Sequence, residues 1–304
     1  MRLRVHHRTR YDYPSPATDS CNDLRLCPRN TPSQKCESSL IYVLPPASLS
    51  HYFDLNQNVV HHFEVPDAHT SLTVTSKATV LTKNPVDFDH LPYGFSHKEL
   101  PSVNTHEICF PYTQDSNYIT VTPDVWRQAV DIKDISDDVF QTAYNIMEHI
   151  YSEYRYVQGA TTVSTHANAV MKQKSGVCQD FAHVMVSYCR ALGIPARYVS
   201  GYFYDATWDH HLRGAQASHA WVEVYIRDQG WVGLDPTNNK VVDSTYVLLA
   251  SGRDYSDVAP LIGTYTGAPK SRLEVSVSVE LLDEHAGEDG FEQTQSQDQK
   301  QSQS

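Results

Sequence analysis

The sequence predicts an α+β protein: an N-terminal β-sandwich over residues 1–110, a mixed core over 111–282, and an acidic, Gln- and Ser-rich tail over 283–304. Three observations predict it. The first part alternates apolar and polar residues with the period of a strand, the middle carries apolar residues at helical spacing, and two short alternating runs follow within one hairpin distance.

In the N-terminal part, Leu3, Val5, His7, Thr9 and Tyr11 alternate with Arg4, His6, Arg8 and Arg10. Runs near 37–44, 59–65 and 72–80 do the same between Pro-, Ser- and Asn-rich turns, the pattern of short strands in a sandwich. Residues 84–122, with Pro85, Pro92, Pro101 and Pro111, read as an irregular connection. A helix is then expected. Asp137 and Asp138 suit its first turn, and Val139, Phe140, Ala143, Ile146, Met147, Ile150 and Tyr154 make its buried face. A second helix follows a turn at Lys174-Ser-Gly-Val177: Cys178, Phe181, Ala182, Met185, Cys189 and Leu192 recur at three- and four-residue spacing, and Gly193 and Pro195 end it. Arg197 to Tyr204 is a strand. Leu273, Val275, Val277, Val279 and Leu281 give a last half-buried strand, expected to close the core.

The chemistry-bearing residues lie in three stretches, Ser175–Phe181, Ser218–Val224 and Gly230–Thr237. Cys178 falls in the first turn of its helix, where unpaired N–H groups and the helix dipole favour a thiolate over a thiol of ordinary pKa about 8.5. Asp180 suits the same turn as an acid favoured by the dipole or as a hydrogen-bonding group. Taken alone, Cys178 reads first as a small buried hydrophobe, as Cys189 on the same face is taken to be. His219 begins an alternating strand, and Asp235 ends the next one. If Tyr225 pairs with Trp231, through a five-residue loop or a bulge, Asp235 stands diagonal to His219, roughly 7–8 Å away at Cα and within reach of a carboxylate–imidazole hydrogen bond. A cysteine nucleophile, a histidine base and an aspartate that fixes the ring is the set that acyl transfer through a thioester needs. His219 as a surface residue and Asp235 as a strand end remain the alternatives for each position alone.

At these residues the chain resembles the transglutaminase-like superfamily of papain-related cysteine enzymes. Gly176–Ala182, Ala191–Tyr202, Ser218–Glu223 and Gly230–Thr237 are similar to its core signature. The resemblance implies Cys178 as nucleophile, His219 as general base and Asp235 as third member, on a papain/transglutaminase-like core. His7–Ala17, Leu24–Arg29, Phe53–Asn58 and Ala250–Pro260 resemble the bacterial subgroup with its own N-terminal β-domain, so that the likeness covers roughly residues 3–282. One departure is the tight Gly-Asn turn, which here is Asn56-Gln-Asn58.

The 36 acidic against 24 basic side chains, a formal charge of −12, disfavour nucleic acid or an anionic membrane as partner. A protein or peptide substrate is expected. No apolar run has membrane-spanning length and the N-terminus lacks an apolar leader core, which reads as a soluble, cytoplasmic protein. In a reducing compartment the six cysteines need no disulfide. Cys21, Cys27 and Cys36 lack paired zinc-site spacing, and adjacent histidines such as His61-His62 point to opposite faces of a strand, so neither metal nor cofactor is expected. The polar loop 205–216 is expected to border the cleft, with Trp208 either on the substrate or half-buried at the surface. Tyr156 and Gln158 are positional candidates for a second oxyanion donor beside the Cys178 N–H. Hydrolysis of a peptide or amide is favoured over transfer of a glutamine acyl group to an amine, because neither a calcium loop nor an acidic cluster stands within the core. A non-catalytic scaffold is the third possibility.

Overall fold

The computed structural model describes residues 1–205, 218–267 and 271–282; the loop around Trp208 and the acidic tail lie outside them. The fold is α+β, as expected. Its N-terminal part is one curled sheet of seven strands organised by a single long strand, β1 (Arg2–Leu24). Residues 2–12 of β1 pair with β5 (His69–Thr82), which in turn pairs with β2 (Gln34–Leu44). Past a break in register between Asp12 and Ala17, residues 20–24 pair instead with β4 (Val59–Val65), whose other edge takes β3 (Ser50–Phe53). The break lets one strand serve both halves of the sheet, and the sheet encloses Leu3, Val5, Leu24, Phe63, Leu72 and Val74.

Two parts of the chain differ from expectation. The last strand, β14 (Arg272–Leu281), does not close the core: it pairs along β1 from Leu3 to Asp12, and β13 (Leu261–Thr266) pairs with β1 from Thr18 to Leu24. Alternation marks a strand with one buried face and is silent about which sheet it joins. Residues 84–122, placed at the end of the β-domain and the start of the core, instead pack with the core helices through Val86, Phe95, Leu100, Val103 and Ile119.

The core contains α1 (Leu100–Asn104), α2 (Pro123–Lys133), α3 (Val139–Glu153), α4 (Ala167–Gln173), α5 (Cys178–Ala191) and α6 (Tyr255–Val258). The short strands β6 (Arg155–Tyr156) and β7 (Ser175–Gly176) pair with each other in parallel. The remaining strands form a five-stranded antiparallel sheet in the order β11-β10-β9-β8-β12: β8 (Ala196–Phe203), β9 (His219–Ile226), β10 (Gly230–Asp235), β11 (Lys240–Val241) and β12 (Tyr246–Gly252). α3 buries the face expected of it, and the Asp138 carboxylate caps it by accepting from the Gln141 N–H at 2.8 Å. The Pro-led α2 was not foreseen, since only Val125 and Ala129 of its residues are buried.

α5 packs on β8 and β9. It ends in a Schellman arrangement, with Gly193 at φ 74°, its N–H on the Arg190 carbonyl and the Ile194 N–H on the Cys189 carbonyl. Tyr202, Val247 and Leu249 of the core sheet enter the apolar cluster of the curled sheet, joining the two parts. A polar junction adds to this: Asn58 is fully buried, its Nδ2 donates to the Ser251 carbonyl and its Oδ1 accepts the Ser251 N–H, both at 2.9 Å. The Asn56-Gln-Asn58 turn serves that junction, with Gln57 at φ 62° and the Asp54 carboxylate accepting the N–H groups of both Asn56 and Asn58. No helix among the described residues is long and apolar enough to cross a membrane.

Candidate active site

Cys178 is the first residue of α5 and is half-buried. Asp180, two residues on, is 1 % exposed; its Oδ2 accepts the Val177 N–H at 2.7 Å and the Thr161 hydroxyl at 2.6 Å. It is therefore the hydrogen-bonding group of the first turn, fixing the entry to the helix and the 157–165 segment beside it. Burial raises its pKa, against the pull of those two hydrogen bonds. Gly176 is required by this closure: a Cβ there would stand 2.5 Å from the Asp180 carboxylate.

The register of β9 and β10 places Trp231 opposite Tyr225 and Leu234 opposite Val222, so Asp235 comes diagonal to His219 as the hairpin argument requires. Of the two expected ways to reach this register, a five-residue loop or a bulge, the connection is not the five-residue loop. Asp228 at φ 65° and Gly230 at φ 82° tighten the turn enough for Ile226 to pair with Gly230, leaving three residues, 227–229.

His219 and Asp235 are buried, and His219 Nε2 meets Asp235 Oδ2 at 2.8 Å. The same oxygen accepts from Tyr246 Oη and Asn238 Nδ2, each at 2.8 Å, while Oδ1 accepts the Thr237 N–H at 2.9 Å. Burial opposes the charge on Asp235, but the attraction of His219 and these donors holds the carboxyl below its ordinary range. For His219 burial favours the neutral ring. The Asp235 carboxylate and the Cys178 thiol act the other way, and the balance lifts it from 6.5 to about 10. The remaining nitrogen, Nδ1, is buried without a well-formed hydrogen bond among the described residues, and Cys178 is the thiol that interacts with this ring.

Aromatic side chains enclose the imidazole. Phe203 meets it edge-on at 5.0 Å between centroids and Trp221 lies nearly parallel at 6.2 Å. Gly201, opposite His219 on β8, makes room for that indole, since a Cβ would stand 2.5 Å from Trp221 and 2.1 Å from the Val247 carbonyl. Sequence reasoning missed Tyr246, Asn238, Thr161 and the enclosing aromatics. Asn238 could have been found as the polar residue just past Asp-Pro-Thr; Tyr246, on a strand that does not neighbour β10, could not.

Of the positional oxyanion candidates, Tyr156 is held next to the nucleophile turn by its pairing with Gly176, and the Val157 N–H donates to the Gly176 carbonyl at 2.8 Å. Gln158 is exposed. All six cysteines are free thiols; Cys189 and Cys109 are buried, and burial pushes Cys189 up to about 12, the state of an inert core thiol.

Residues 128–236 match the transglutaminase-like superfamily, and residues 3–81 match the bacterial transglutaminase-like N-terminal region. An uncharacterised protein of Mycobacterium tuberculosis is 34% identical over 296 residues, covering 91% of this chain and 92% of that one. A protein-glutamine gamma-glutamyltransferase of Pseudomonas aeruginosa is 35% identical over 104 residues, 32% of this chain and 16% of that protein. Among solved structures, a candidate cysteine protease from Cytophaga hutchinsonii superposes with a TM-score of 0.71 at 23% identity, covering 93% of this chain and 92% of that one, and shares the fold. With both regions in order along one chain and a relative matched over nearly its full length, the protein belongs to the transglutaminase-like superfamily, in its form with a bacterial N-terminal β-domain.

Proposed function

We propose that the protein is a cysteine hydrolase, a peptidase or amidase acting on protein or peptide substrates through a thioester on Cys178. The observation that carries this reading is the fully buried 2.8 Å hydrogen bond between His219 Nε2 and Asp235 Oδ2, with the thiol of Cys178 acting on the same ring. A histidine held with its proton by a buried carboxylate favours the thiolate–imidazolium pair over two neutral groups.

In the first half-reaction the Cys178 sulfur adds to the substrate carbonyl carbon. The N–H groups of the first turn of α5 face the developing oxyanion. As the carbon–nitrogen bond breaks, His219 gives its proton to the leaving amine and a thioester remains. In the second half, water adds to the thioester while His219 takes one of its protons. The carbon–sulfur bond breaks, and the acid and the original pair are restored. Asp235 keeps its charge throughout and holds the Nε2 proton, and Tyr246, Asn238 and the Thr237 N–H keep its carboxylate from turning away.

Cys178 is half-buried, so its thioester is open to solvent, and water is the resolving nucleophile in this reading. The stretch shared with the gamma-glutamyltransferase favours a second reading, in which an amine resolves the thioester of a glutamine side chain. Mass spectrometry of a peptide library, with and without a labelled primary amine, separates the two. Cleavage or deamidation that is insensitive to amine and absent in Cys178→Ala is the expected result, and amine incorporated at glutamine would replace hydrolysis by transfer. A library left unchanged by wild type and variant alike would argue for a scaffold.

A further inference from the structure

Outside the catalytic corner, sulfur, nitrogen and oxygen donors gather on the solvent face of the curled sheet. β1 and β4 run antiparallel there, with Cys21 opposite Glu64 and Asp23 opposite His62. Residues two apart on a strand share a face, so all four side chains stand on one side, while Ser20, Asn22, Phe63 and Val65 are buried on the other. A sulfur, a ring nitrogen and a carboxylate oxygen from Cys21, His62 and Glu64 lie within 4.8 Å of one another. His62 Nδ1 meets Asp23 Oδ1 at 2.9 Å and His62 Nε2 stands 3.6 Å from Glu64 Oε1. Tyr52 Oη donates to the other oxygen of Asp23 at 3.2 Å.

We propose that Cys21, His62 and Glu64 form a binding site for one divalent cation of the zinc class, with Asp23 as the positioning residue for His62. Zinc takes sulfur at about 2.3 Å and nitrogen or oxygen at about 2.0–2.2 Å in a tetrahedron, which separates ligand atoms by roughly 3.3–3.6 Å. The nitrogen–oxygen distance already has that value, and the sulfur closes the remainder by side-chain rotation. A thiolate and a carboxylate balance the charge of the ion, and the thiol and imidazole donors select a transition metal over magnesium or calcium. On binding, Cys21 loses its proton to solvent, His62 Nε2 offers its lone pair, and Nδ1–H donates to Asp23, the arrangement that orients a metal-bound histidine. Three protein ligands leave a fourth position open to solvent or to a donor from another molecule.

The test uses the full chain carrying Cys178→Ala, so that the nucleophile cannot supply the thiolate. Titration with Co²⁺ is expected to give one equivalent bound, with a thiolate-to-cobalt absorption band in the near ultraviolet that Zn²⁺ abolishes by displacement. Adding Cys21→Ser should remove the band, and His62→Ala or Glu64→Gln should weaken binding strongly. Asp23→Asn should weaken it about 10–100-fold. Circular dichroism confirms that each variant folds, and the two ligand variants His62→Ala and Glu64→Gln check one another. Failure of the parent chain to give a thiolate band overturns the proposal, as does a band that persists unchanged in Cys21→Ser. Neither outcome touches the hydrolase reading.

Discussion

Two histidines, His219 on β9 and His183 on α5, are equally withdrawn from solvent, at 1 % and 0 % exposure, yet they differ in charge. His219 is in contact with a buried carboxylate and is raised to about 10. His183 is lowered to about 3: burial outweighs the nearby Asp254, whose oxygens are taken up by the Tyr118 N–H and by the N–H and hydroxyl of Ser256. His183 Nε2 accepts the Tyr255 N–H at 3.1 Å, and its ring lies against Tyr118 and Tyr198 at 5.5 and 4.9 Å. Depth is the same in both places. A carboxylate in direct contact favours the protonated form of one ring, and burial beside a backbone donor favours the neutral form of the other.

The largest expected consequence is in turnover. His219→Ala should cost on the order of 10²–10⁴ in kcat/KM, as removal of a general acid–base does. His183→Gln, which removes a ring from packing rather than a proton from the reaction, should stay within about tenfold in the same peptide assay, provided it folds. Equal losses would erase the distinction. Next comes stability. Asp235→Ala leaves a buried imidazole and the donors of Tyr246, Asn238 and Thr237 without their acceptor, and should lower unfolding free energy by about 3–5 kcal/mol in urea titrations. Tyr246→Phe removes one hydrogen bond to the charged carboxylate and should cost about 1.5–3 kcal/mol, with a smaller loss of turnover.

A further contrast is the pH dependence of stability, where the two rings have opposite sign. His219 is raised in the fold, so its contribution is complete below about pH 6.5 and is lost as pH rises towards about 10. His183 is lowered, so its neutral state costs stability as pH falls from 6.5 to about 3, and Asp235, held below the ordinary carboxylate range, loses its contribution as pH falls beneath that range. Thermal melts should therefore show an alkaline decline that flattens in Asp235→Asn and an acid decline that flattens in His183→Gln. Identical alkaline limbs in wild type and Asp235→Asn would contradict the assignment.

The geometry of the candidate site was legible because its parts are local. A turn before a helix places Cys178, strict alternation places His219, and counting back from the turn fixes the face of Asp235. What escaped was whatever depends on pairing between distant segments. β14 shows its buried face in Leu273 to Leu281 but not its partner β1. Tyr246 reaches Asp235 from a strand separated from β10 by two others. Cys21 and His62 look like solvated strand positions until the β1–β4 register sets them with Asp23 and Glu64. The exact length of the loop escaped for another reason: Asp228 and Gly230 both take left-handed conformations, which the residue types allow but do not require.

In the proposed mechanism His219 and Asp235 act together on Cys178, and thiol alkylation measures that without any knowledge of the substrate. The rate of carboxamidomethylation at Cys178 would be followed by peptide mass spectrometry in wild type, His219→Ala and Asp235→Asn, with Cys189 as the buried internal control. Modification of Cys178 ahead of every other cysteine, slowed at least about tenfold in both variants while Cys189 stays unmodified, is the predicted result. A rate at Cys178 that is the same in all three proteins would contradict the account.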